Sequence, residues 1–181
     1  MLAIRRNPKS EEWTLSSLRW GLIPNWSKDE KIAYRTINAR VETVDTAPSY
    51  REAYKKRRCM IPADGFYEWK RTETGKQPYS IQRKDDTPFC FAGLWEGWKR
   101  PGTEDWVRTC TIITCEPNEL NARIHNRMPV ILPEEYFNGW LSGEFGKEVL
   151  LLFRSDLMSA YPISQRVNRP ENNDKGILDS A

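Results

Sequence analysis

Short apolar or alternating runs, separated by turn residues, dominate the chain and predict strands more often than helices. Residues 1–6 and 13–20 read as two strands. Pro24 then holds the chain in an extended loop that displays Trp26 at a rim. An extended segment over residues 37–43 puts Asn38 and Arg40 on one side, because side chains alternate along a strand. Thr46 and Pro48 open a helix with Tyr50, Ala53 and Tyr54 on one stripe, and the basic residues 55–58 close it where the helix dipole favours positive charge.

After a turn at Asp64 and Gly65, residues 66–69 form a strand with Glu68 on the face of Phe66, and with Tyr67 and Trp69 on the other. A loop containing Gly75 leads to a strand at 78–82, and further strands follow at 89–96 and 106–114. A short polar helix then leads to His125, and Met128 and Pro129 enter another apolar strand. Helices are predicted at 133–143 and 147–153, a last strand at 161–164, and a polar loop at 167–176. Strand follows strand without βαβ alternation. The expected fold is therefore α+β, a mostly antiparallel, barrel-like β-sheet core with peripheral helices, in a single domain over residues 1–181.

Composition narrows the class. Apolar residues at 39% and charged residues at 29% describe a soluble globular chain and exclude a disordered one. No apolar run approaches the roughly 18 residues of a membrane span, and there is no signal-peptide pattern, so no membrane partner is expected. The expected location is cytoplasmic, with nucleoid association in a bacterium. A net charge of +3 does not by itself call for nucleic acid, but basic residues gather at 51–58 and Arg123, Arg127, Arg166 and Arg169 flank the later loops. The eight tryptophans, interleaved with these cations, could stack on single-stranded bases, although most are expected to fill the core. Cys59, Cys90, Cys110 and Cys115 match no zinc or redox spacing, and Cys90 and Cys110 read as reduced core residues. With one histidine in the chain, no metal or cofactor is expected.

That histidine, His125, sits between Arg123, Asn126 and Arg127, a crowd of donors suited to an anion. A histidine between two strands serves either packing or proton transfer, and the pattern alone leaves both open. Glu68, set among aromatic residues, is either an exposed strand charge or a desolvated carboxyl with a raised pKa, poised to move a proton.

The runs Trp20-Gly-Leu-Ile-Pro-Asn-Trp26, Asn38-Ala-Arg-Val-Glu-Thr43, Pro62-Ala-Asp-Gly-Phe-Tyr-Glu-Trp69, Ala92-Gly-Leu-Trp95 and Ile124-His-Asn-Arg-Met-Pro129 carry a resemblance. In that order, and across nearly the whole chain, they resemble the SRAP family, the SOS-response-associated peptidase domain of abasic-site processing proteins. The resemblance implies single-stranded DNA containing abasic sites as the partner, a covalent thiazolidine link to the abasic sugar made by an N-terminal cysteine, and autoproteolytic peptidase activity. It further implies that Asn38 positions the reacting cysteine, that Glu68 is the general acid/base, and that His125 assists ring opening and imine chemistry. Arg40 and Arg127 look like phosphate-binding arginines, Trp26 like the rim aromatic that meets the bases, and Thr114 like a pocket-lining hydroxyl.

The chain departs from the family pattern at its start, where Met-Cys-Gly-Arg and an Asn-x-Ala-Pro segment are expected. By resemblance, about 30–40 residues of the usual domain are missing, and the nucleophile with them, since no cysteine precedes Cys59. The expectation is a crosslinking-deficient chain, with self-association through open sheet edges. Two alternatives stand beside it. One is a non-catalytic module that binds single-stranded or damaged DNA, and the other is a thiol hydrolase pairing Cys115 or Cys59 with His125.

Overall fold

A computed structural model describes residues 1–7 and 9–179. Its strands are β1 (Leu2–Arg6), β2 (Trp13–Ser17), β3 (Arg19–Trp20), β4 (Asn38–Arg40), β5 (Arg58–Ala63), β6 (Gly65–Thr72), β7 (Gly75–Arg83), β8 (Phe89–Lys99), β9 (Trp106–Cys115), β10 (Met128–Pro129), β11 (Ile131–Leu132) and β12 (Met158–Pro162). Two short α-helices, α1 (Arg51–Lys56) and α2 (Phe137–Ser142), and several 3₁₀ turns complete it. The chain divides into two compact units. One comprises residues 1–62, 89–115 and 129–151, and the other 63–88, 116–128 and 152–181.

The first unit is built on a curled, half-barrel mixed sheet whose central order is β9-β8-β5-β1-β2. β8 and β9 form its long antiparallel pair, Gly93 opposite Ile112 and Trp98 opposite Val107. β3 and β4 both add to β9 in parallel, with Arg19 opposite Thr109 and Arg40 opposite Thr114. The sheet is mostly antiparallel, as alternation along the sequence suggested, and these two parallel additions make it mixed. Parallel partners far apart in sequence need no tight turn between them, so they leave no local signal. The core under this sheet contains Leu22, Ile23, Met60, Leu94, Ile113 and Trp140, all essentially without solvent contact. Trp140 donates its indole N–H to the carbonyl of Cys59 at 2.9 Å, so its one polar atom is satisfied.

The basic stretch at 55–58 has the structural use expected of it. Lys55 and Lys56 lie in the last turn of α1, and Arg58 is buried with its guanidinium 4.5 Å from both the Tyr54 and Trp140 rings. Most of the tryptophans, by contrast, are not core residues. Trp98 and Trp140 are buried, whereas Trp13, Trp20, Trp26 and Trp106 are exposed. Size alone does not bury a tryptophan on a short or edge strand with no layer over it. The helix expected over 147–153 is also reduced to a 3₁₀ turn at Lys147–Val149. Val149 and Leu150 are buried while Leu151 and Leu152 are exposed, so the apolar run presents no helical stripe to a core.

The second unit holds a three-stranded antiparallel sheet in the order β12-β7-β6. β6 and β7 pair from Gly65 opposite Gln82 to Thr72 opposite Gly75. Gly75 adopts φ +141°, a conformation open to glycine, and closes the two-residue turn at Glu73 and Thr74. Among the described residues, no helix is long and apolar enough to cross a membrane.

Gly21 follows β3 at φ +106°, and a methyl group there would lie 2.5 Å from the Ala33 carbonyl oxygen. Gly21→Ala is therefore expected to cost about 1–3 kcal/mol, the usual scale of a residue forced into a strained backbone region, read as a lowered urea midpoint with an unchanged m-value.

Candidate acid–base site

In the second unit, the β6–β7 register places Glu68 opposite Tyr79 and next to Trp69 on the edge strand of the small sheet. Only a fifth of its side chain is accessible. Burial pushes its carboxyl above the usual range, and the nearby His125 and the Trp69 backbone N–H pull it partly back. The Oε2 atom lies 3.6 Å from His125 Nδ1, within ion-pair range of a protonated ring but beyond direct hydrogen-bond distance.

His125 stands on the loop between β9 and β10. Its Nδ1 is 3.1 Å from the Arg127 carbonyl oxygen and 3.2 Å from the Arg127 N–H. A protonated Nδ1 has an acceptor in that carbonyl, with the Glu68 carboxyl nearby, and a bare Nδ1 accepts from the backbone N–H. Both proton states of the ring therefore have a partner, as proton transfer requires.

Two buried asparagines, not singled out by the sequence, hold this loop. Asn118 donates its amide N–H to the Phe153 carbonyl at 2.9 Å, while its Oδ1 accepts from the backbone N–H of Asn121 at 3.0 Å and from the Asn121 amide at 3.1 Å. The backbone carbonyl of Asn121 in turn accepts from the N–H groups of Ile124 and His125, both at 2.8 Å. Asn118 thus pins the turn that leads into the 3₁₀ segment Asn121–Arg123. The signal was the Pro117-Asn118 start with Asn121 three residues on.

The first unit holds the other predicted residues except Arg127. Asn38 and Arg40 are exposed on the same face of β4, with buried Ala39 between them, as period two required. Parallel pairing sets Arg40 opposite Thr114, which is buried. Tyr50 donates its hydroxyl to the Asn38 carbonyl at 3.0 Å, and Trp26, exposed at 56%, donates its indole N–H to the Pro48 carbonyl at 3.3 Å. Residues 48–50 therefore brace Asn38 and the rim tryptophan alike. Arg127, in the second unit, meets His125 through its backbone. All four cysteines are free and buried, and burial drives the Cys59 thiol well above its usual pKa. That is a poor setting for the thiol hydrolase considered above. Among the described residues, no three His, Cys, Asp or Glu side chains group as metal ligands would.

Fold and site together describe an α+β protein with a carboxylate and an imidazole set beside one another in its second unit. The chain belongs to the SOS response associated peptidase (SRAP) family, whose model matches residues 1–170. It is 47% identical over 172 residues to the abasic site processing protein YoqW of Bacillus subtilis (strain 168), spanning 92% of this chain and 76% of that protein. It is 32% identical over 196 residues to the abasic site processing protein HMCES of Xenopus tropicalis, spanning 93% of this chain and 58% of that protein. A crystal structure of a protein from Bacteroides thetaiotaomicron matches with a TM-score of 0.89 at 32% identity, covering 99% of this chain and 80% of that one.

Because the folded state holds the Glu68 proton more tightly than the unfolded chain does, wild-type stability falls as pH rises from the ordinary glutamate pKa, about 4.3, to the raised folded value. Glu68→Gln removes that loss. The difference in thermal midpoint, variant minus wild type, should therefore grow over this window and then level off. Asn118→Ala strands the polar groups of Asn121 and is expected to cost about 1–3 kcal/mol in denaturant unfolding.

Proposed function

We propose that this protein processes abasic sites in single-stranded DNA, and that Glu68 and His125 are its acid–base pair. The observation that carries the reading is the half-buried Glu68 carboxyl, 3.6 Å from an imidazole with a partner in either proton state. Family membership and the names of its relatives support the substrate.

An abasic deoxyribose reacts as its open-chain aldehyde. Opening the ring removes the proton of the C1 hydroxyl, breaks the bond between C1 and the ring oxygen, and returns a proton to that oxygen. One member of the pair takes the first proton and the other supplies the second, without a net change in protonation. A carboxyl raised by burial is a better proton donor-acceptor for both tasks than an exposed one, and the imidazole beside it supplies the second group. Arg127 would hold a flanking phosphate, and within the first unit, taken by itself, Arg40 would hold a phosphate of the strand and Trp26 would stack on a base, with Asn38 and Thr114 beside Arg40 as polar partners. In the cell this is DNA repair in the cytoplasm.

The family's covalent link to the sugar requires an amine and an accessible thiol. Since Cys59, Cys90, Cys110 and Cys115 are all buried, this 181-residue chain is expected to bind and open the abasic sugar without retaining it. The same burial favours, as a second reading, a module that binds such DNA without chemistry.

An abasic single-stranded oligonucleotide carrying an aldehyde-reactive probe in solution distinguishes the two. The chain should accelerate aldehyde capture by the probe and give no stable adduct on a denaturing gel. Glu68→Gln and His125→Ala should each slow that capture by about 10²-fold or more, with the double variant little worse than either. Binding without acceleration, or wild-type rates in both variants, would remove the proposed mechanism.

A further inference from the structure

The β6–β7 hairpin carries a feature that the acid–base pair does not use. Arg71 and Lys76 stand directly opposite one another across the strands, and both are exposed. Like charges in opposed positions destabilise a hairpin, and among the described residues neither forms an ion pair. Glu73 lies in the turn between them and pairs with neither. A local choice that works against the fold marks a position held for another purpose.

That purpose is indicated by what the two side chains face. They line a cavity of about 610 Å³ whose wall also includes Glu68, His125, Lys70 and Arg123. Among the described residues, Lys70 and Arg123 have no carboxylate partner either. The cavity therefore sets four positive side chains against one carboxyl, Glu68, whose ionised form is disfavoured by burial. Such a wall presents a positive surface suited to a bound anion.

If Glu68 and His125 act on an abasic sugar, the groups brought alongside them by covalent connection are the phosphodiesters on either side of that sugar. Resting on that reading of the site, we infer that Lys70, Arg71, Lys76 and Arg123 form a phosphate-binding wall that seats the DNA backbone adjoining the abasic sugar. The two guanidinium groups suit bidentate grip on non-bridging oxygens, and the two ammonium groups serve as point charges. Because phosphates carry no sequence information, the wall contributes affinity and register without base preference.

The test measures binding of a fluorescent single-stranded oligonucleotide bearing one abasic site, from low to high salt. The wild type should lose affinity linearly on logarithmic axes. The triple variant Arg71→Gln, Lys76→Gln, Arg123→Gln should lose about 2 from that slope, about 0.7 for each contact on a single strand, with the two lines converging at high salt. In a second variant, Arg71→Glu, the new cross-strand pair with Lys76 should raise the thermal midpoint while DNA binding weakens several-fold. A merely structural role would lower both. An unchanged slope in the triple variant, with wild-type binding intact, overturns the wall alone. Failure of the wild type to bind abasic single-stranded DNA overturns the functional reading and the wall together. Inorganic phosphate is titrated in parallel. If it raises the wild-type midpoint but not that of the triple variant, and the DNA slopes agree, the wall is a site for free phosphate and the proposal fails.

Discussion

A carboxyl withdrawn from water must be neutralised or paired, and Glu68 is placed so that both outcomes are available. Burial on the edge strand favours the protonated form, and the imidazole 3.6 Å away favours the ionised one. The two influences oppose each other at one carboxyl, and the rest of the second unit sets their terms. The β6–β7 register fixes where the carboxyl stands, and the Asn118–Asn121 network fixes the backbone from which His125 projects. Neither support touches the proton, yet a shift in either would change the distance on which the balance depends.

The first unit solves a different problem, that of displaying polar groups on a sheet without losing their geometry. β4 is only three residues long and would be weak alone. It is held by parallel pairing to β9, one of the two long strands of the central pair, with buried Ala39 anchoring its middle. The Tyr50 hydroxyl then braces the carbonyl of Asn38. Exposure and rigidity coexist because the backbone is fixed from the covered side.

Much of this was legible in the chain, for reasons that differ by element. The β6–β7 hairpin announced itself through Gly75 and alternating aromatic residues, and its alternation placed Glu68 correctly among them. Asn38 and Arg40 shared a face because period two is a property of any extended segment. The parallel attachment of β3 and β4 to β9 was not legible, since more than 60 residues separate the partners and no turn links them. Nor was the exposure of Trp13, Trp20 and Trp106, because burial depends on which neighbouring layer covers a strand. The Asn118–Asn121 brace was readable as a turn, but its tie to the Phe153 carbonyl spans 35 residues and belongs to tertiary structure.

The burial of all four cysteines has a consequence for handling the protein. Alkylating reagents meet no accessible sulfur on the native surface, so modification requires opening of the first unit, to which all four belong. The rate of thiol labelling then reports how often that unit opens, with the second unit, which contains no cysteine, silent in the measurement. Native sulfur thereby provides a built-in probe of local stability in one half of the molecule, without any added label.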